Sequence, residues 1–225
     1  MRRLALALAL AISTGPAAAL DWVSANGPLT DRDFYRLVSC GAKPDGPCRE
    51  ALVKWPAKKV GDLTISIYRV AEGYPRRLSR SASAALDATV AEINRAGSAV
   101  RLRRLRDGEF ADIRVFLLDL REGDTITGTG LRPLDGETIE AARVQVWWNG
   151  RRQIVDAAVV FASDVNRADI RSIMLEETTQ ALGFLTDIRD PWYNSRSVFS
   201  EDSNSVTSLG EQDMMVLRRH YPPGN

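Results

Sequence analysis

Apolar and polar residues alternate through Leu63-Thr64-Ile65-Ser66-Ile67, and the run continues β-rich to Val70. A period of two with β-branched content predicts a strand with one buried face. The period then changes. Ala82, Ala85, Leu86, Val90 and Ile93 fall at helical spacing and predict a helix over about 79–94, with Ser79 or Ser81 as its cap. Val100–Leu105 reads as a second strand, and Asp112–Leu118 as a third that is more apolar and so more buried. Glu122 to Glu140 is a Gly- and Thr-rich loop. Val144–Trp148 and Gln153–Phe161 flank Asn149-Gly150 and predict a strand pair around a turn. A second helix follows Asn166, which has an acid, Asp169, three residues on. It runs to about Leu182 and stops at Gly183, a residue suited to a left-handed cap. A last helix, from Gly210 or Glu211 to about His220, ends before Pro222-Pro223. Upstream of the regular pattern, Asp31–Leu37 reads as a short helix. Strands and helices in this order predict an α+β fold.

The N-terminus follows another logic. Met1-Arg2-Arg3 precedes an unbroken apolar run of nine residues, Leu4 to Ile12. Ser13-Thr14-Gly15-Pro16 breaks the run, and Ala17-Ala18-Ala19 offers an A-x-A cleavage site before Leu20. This predicts a signal peptide over 1–19 and a periplasmic or secreted protein. Nine residues span about 14 Å as a helix, whereas crossing a bilayer takes roughly 20 residues. No transmembrane segment is expected in the mature chain. Of the 225 residues, 206 remain, which suits one domain over 58–225 behind an N-terminal extension over 20–57.

Composition narrows the classes. At 44% hydrophobic and 26% charged, the chain is neither disordered, nor collagen-like, nor polytopic. Loss of Arg2 and Arg3 with the leader lowers the basic count from 30 to 28 against 29 acids, so the overall field gives no support for nucleic-acid binding. Arg101, Arg103, Arg104 and Arg106 read as the charged face of an edge strand rather than an anion site. Cys40 and Cys48 are the two cysteines, in a segment with two Gly and two Pro. In an oxidising compartment they are expected to form a structural disulfide. A metal site built on them would lack further soft ligands.

Candidate chemistry concentrates on the second helix. Ile170, Met174, Glu177, Ala181 and Phe184 share one face at 100° per residue, so Glu177 is a carboxylate on an apolar stripe. A charge there costs several kcal/mol unless it is paired, neutralised or set in a cleft. Two readings stay open. In one, Glu177 is a structural acid held by a basic or hydrogen-bonding partner. In the other it belongs to a site.

Glu176-Glu177-Thr178-Thr179-Gln180-Ala181-Leu182-Gly183 resembles the metzincin zinc motif H-E-x-x-H-x-x-G-x-x-H. Glu176 and Gln180 stand where its first two histidines would be, Glu177 keeps the central acid, and Gly183 the turn glycine. The third-ligand position falls on Thr186, with Asp187 beside it. Ser195–Phe199 sits where metzincins make their methionine turn, without a methionine. Leu209–Asp213 and Val216–Tyr221 resemble the closing helix of the matrixin branch. The string E-E-x-T-Q-A-L-G, with Ser197-Val198-Phe199-Ser200-Glu201-Asp202 downstream, also resembles a bacterial exported domain of unknown function, number 2927. The resemblance implies a zincin-like, metzincin-type mixed sheet with a long helix behind it, a degenerate active-site helix and a C-terminal helix.

Catalytic zinc normally takes three protein ligands, mostly imidazoles. The single imidazole, His220, is far along the chain from the motif. Glu176, Gln180 and Asp187 offer only oxygen, which suits a hard divalent cation better than zinc. Glu177 would then lack a zinc-bound water to activate, so ordinary metzincin proteolysis is not expected. The reading is a non-catalytic binding or structural module of the cell envelope, a pseudoenzyme with no zinc cofactor. Its expected partner is a peptide strand or an envelope polymer. The alternatives are a hydrolase using Glu177 without zinc and a protein that binds a hard cation; Glu201-Asp202 has some cation-loop character. Trp147, Trp148 and Trp192 are candidates for a binding surface, with core packing as the rival use.

Overall fold

A computed structural model describes residues 22–224. The signal peptide expected over 1–19 lies outside the described residues. The chain order is β1 (Trp22–Ser24), α1 (Asp31–Cys40), α2 (Ala57–Val60), β2 (Leu63–Val70) and α3 (Arg76–Arg95). Then come β3 (Leu102–Arg104), β4 (Ile113–Leu117), β5 (Ala142–Trp148), β6 (Ile154–Phe161), α4 (Ile170–Gln180), β7 (Asp187–Arg189) and α5 (Glu211–His220). This is an α+β fold with a mixed sheet.

Five strands form the main sheet in the order β3-β2-β4-β6-β5. β2 pairs in parallel with β3 and β4, and β4 with β6, whereas β5 returns antiparallel to β6 through the turn at Asn149. β3 and β5 are therefore the edges. The alternation along each strand assigns its faces. Leu63, Ile65 and Ile67, Ile113, Val115 and Leu117, and Ala157, Val159 and Phe161 enter the main core. There they meet Ala82, Leu86 and Ile93 of α3 and Ile170, Met174 and Leu175 of α4. Phe116, Ala158 and Val160 point to the other face, which Ile126, Leu134 and Ile139 of the long loop cover. That loop is thus a packed layer, not a solvated excursion.

The edge arginines are each engaged. Arg103 pairs with Asp62, Arg104 with Asp87 and Asp107, and Arg106 with Glu109, while Arg101 donates to the Ser98 and Val100 carbonyls. None is left to hold an anion.

The N-terminal extension shares the main core. Phe34, Leu37 and Val38 of α1, with Val53 and Trp55, are buried in it. The disulfide Cys40–Cys48 closes a loop at the end of α1. β1 pairs in parallel with β7. That pair, like α2, has no counterpart in the periodicity, because three or four residues are too short to display one.

The helix starts differ from the sequence reading. α3 begins at Arg76, directly after Pro75, so neither Ser79 nor Ser81 caps it; proline tolerates a position where an N–H has no partner. α4 begins at Ile170. Asn166 caps a preceding turn instead, accepting from the Ala168 N–H at 3.1 Å.

Candidate functional site

Ile173, Glu176, Glu177 and Gln180 line one face of α4 and form a wall of a cleft. α4 is buried nearly all round, so hydrophobic periodicity did not separate its core side from its cleft side. Glu177 lies at the border of the two. Across the cleft stand Glu140, Ala142, Arg143 and Val144, at the start of edge strand β5. Leu185 and Asp187 close one end, and Glu201 and Asn204 complete the lining around a cavity of about 210 Å³.

The chain reaches Asp187 by a sharp reversal after α4. Gly183 has φ +105°, a conformation open to glycine at little cost. A Cβ there would also run into the carbonyl oxygen of Val53. The reversal brings Asp187 back beside the helix, and the Gln180 Nε2 donates to both of its carboxylate oxygens at 3.0 Å. Thr186 is buried and takes no part in the lining. Of the positions singled out by the motif, Glu176, Glu177, Gln180 and Asp187 come together, and Thr186 does not join them.

Three carboxyls of the cleft, those of Glu176, Glu177 and Glu201, are pushed towards their neutral forms. Glu177 is 9% exposed, and its Oε2 has no hydrogen-bond partner. Burial raises its pKa to about 8, opposed by the Arg143 charge and reinforced by Glu140. Burial also holds Glu176 well above the usual carboxylate range, with the charges of Asp187, Glu177, Glu201 and Glu140 adding to it. Glu201 rises for the same first reason, against its pairing with Arg189. Arg143 is the one basic side chain in the lining, and it reaches to Glu137 at 3.3 Å.

This donor set does not fit zinc. It is all oxygen, Gln180 and Asp187 are engaged with each other, and among the described residues no three His, Cys, Asp or Glu side chains are grouped to hold a metal ion. His220 is spent elsewhere. A carbonyl only accepts, so His220 Nε2–H donates to the Val53 oxygen at 2.9 Å and Nδ1 accepts from the Tyr35 hydroxyl at 3.1 Å. Burial lowers its pKa to about 4.

Outside the cleft lining, buried Asp213 of α5 collects three hydrogen bonds. They come from Ser197 Oγ at 2.6 Å, the Val198 N–H at 3.0 Å and the Gly210 N–H at 2.8 Å. They bind the turn at 195–199 to the start of α5. The tryptophans divide: Trp148 packs on the main core and Trp147 on the second cluster, whereas Trp192 stays exposed under Arg196, outside this cleft.

Sequence reasoning did not find Glu140 or Arg143. Neither belongs to a motif, and Glu140 ends a loop without periodicity. Only the antiparallel return of β5 sets them opposite α4.

A family model described as "Protein of unknown function (DUF2927)" matches residues 64–224. It spans the sheet, the cleft and α5 but not the extension that carries α1. No curated protein matches the chain significantly.

Proposed function

The chain belongs to the DUF2927 family, and from its cleft we propose that it is an exported, zincin-like binding module without catalytic zinc. It holds an extended peptide along β5 in the cell envelope. The zincin-like reading draws support from several features. The sheet has one antiparallel strand, and that strand is the edge beside the cleft. A long helix, α3, packs on α4. A glycine reversal follows α4, and Asp213 ties the next turn to the closing helix.

The observation that carries the function is the position of β5. Among the described residues it ends the sheet, so one row of its backbone N–H and C=O groups has no strand beside it, and its first residues form a wall of the cleft. An extended peptide gains affinity from such an edge through main-chain hydrogen bonds, and specificity from pockets for alternate side chains. Hydrolysis of the metzincin kind is not part of the proposal, since the all-oxygen donors beside Glu177 do not suit the zinc that would activate a water for it.

The test uses the purified mature chain and a library of unstructured pentapeptides, with binding followed by calorimetry and cleavage by mass spectrometry. Binding without cleavage is expected, and it should be lost when alternate peptide amides are N-methylated. Cleavage of the bound peptides, or binding indifferent to N-methylation, would overturn the reading. Metal analysis of the same material should find zinc well below one ion per chain; unit stoichiometry would also overturn it.

A further inference from the structure

The chemistry of the cleft specifies one feature of the peptide. Five carboxylic acids line it, from Glu140, Glu176, Glu177, Asp187 and Glu201, against the single lining base Arg143 and, from outside the lining, Arg189 paired with Glu201. Acids alone would say little. The second observation is Glu177, nine-tenths buried, with Oε2 in this wall lacking any hydrogen-bond partner. A buried acceptor without a donor costs about 1–3 kcal/mol, so a donor from outside has something to gain there.

Gln180 extends the pattern. Carboxylates only accept, so its amide nitrogen faces Asp187 and its Oε1 remains as a further acceptor. Arg143, the charged donor in the lining, turns its Nη2 to Glu137, and its buried Nε is a donor there without a partner. Once Glu176 and Glu177 give up their protons, a change that a neighbouring cation favours, the wall presents mainly acceptors.

We propose that the cleft receives a cationic side chain, a guanidinium or an ammonium, from the extended peptide that lies along β5. The inference rests on the peptide-binding reading and names the residue class that the peptide must carry. An arginine brings five N–H donors and a lysine three, with no acceptor in either, which is the complement of this lining. Size agrees. An engineered cavity of about 150 Å³ accepts benzene, and the 210 Å³ here takes a guanidinium with part of its stem. A bare divalent cation fits less well. It needs six to eight oxygens at about 2.3–2.6 Å around one point, and the acids are not gathered in that way.

The experiment compares three probes on the mature chain by calorimetry: acetyl-Ala-Ala-Arg-Ala-Ala-amide, the same peptide with citrulline for arginine, and agmatine alone. Citrulline keeps the shape and removes the charge. The arginine peptide should bind at least tenfold more tightly than either of the others. Glu177→Gln should reduce the preference for arginine over citrulline to within threefold. Glu201→Gln, on a half-buried residue, should reduce it too and serves if the first variant folds poorly. Equal binding of the arginine and citrulline peptides would overturn the cationic pocket while leaving peptide binding intact. Agmatine binding as tightly as the peptide would remove the role of β5. Stoichiometric Ca²⁺ binding that displaces the arginine peptide would reassign the cleft to a hard cation. Binding of no peptide at all would bring down this inference together with the reading beneath it.

Discussion

Glu177 and His220 are both buried titratable groups, and burial drives their pKa values in opposite directions because it disfavours the charged form in each. Their contributions to stability therefore run oppositely with pH. The folded-state pKa of Glu177, about 8, lies above the ordinary carboxylate value. Its contribution is complete below about pH 4.5 and is lost as pH rises through 8, since the unfolded chain gives up the proton first. His220, lowered to about 4, contributes above pH 6.5 and loses that contribution as pH falls towards 4. Glu177→Gln isolates the first effect, because glutamine keeps the shape and cannot ionise. The stability of the variant relative to the native chain should grow from pH 5 to pH 8, by on the order of 1–3 kcal/mol. Denaturant melts at four pH values would measure it. A difference that does not change with pH would mean that the carboxyl is ionised throughout.

At the scale of elements, the reversal from α4 to β7 decides whether a cleft exists. Its geometry depends on Gly183, held at φ +105° with its Cα facing the Val53 carbonyl. Gly183→Ala meets two penalties at once, a left-handed backbone and a clash with main-chain atoms that no rotamer relieves. The expected loss is about 2–4 kcal/mol, at the upper end of what single substitutions cost. Thermal unfolding measured by circular dichroism checks it, and a change below about 0.5 kcal/mol would mean that the turn yields easily. The motif string makes this element legible. Glu176 and Gln180 at i, i+4 followed by a turn glycine already place two side chains on one helix face with a reversal after them. The identity of Asp187 as the partner of Gln180 was not legible, because it depends on how far the chain turns back after Gly183.

At the scale of the whole molecule, the extension and the domain are one packing unit. Phe34, Leu37, Val53 and Trp55 lie in the same core as the sheet and α4, and the Trp55 Nε1–H donates to the Ala181 carbonyl at 3.0 Å. The Tyr221 hydroxyl meets both the Trp55 N–H and the Leu182 carbonyl, joining extension, α4 and C-terminus. A chain cut to 58–225 should consequently fail to fold cooperatively. It should lose near-ultraviolet circular dichroism and bind a hydrophobic dye, since each large side chain removed from a core costs about 2–5 kcal/mol. A sharp unfolding transition in that fragment would show that the extension only decorates the domain. The sequence by itself determined the long strands β2, β4 and β6, the helices α3, α4 and α5, and the burial of Glu177, because each depends on residues a few positions apart. The disulfide was legible too, from two cysteines and the compartment that a leader implies. Tertiary structure alone decided the short β1–β7 pair, the loop that covers the second face of the sheet, and the approach of Glu140, Arg143 and Glu201 to α4. The physical reason is separation along the chain. No periodic pattern records the approach of residues about 20 to 30 positions from α4, and strand order and chain reversal alone bring them within reach of one carboxyl group.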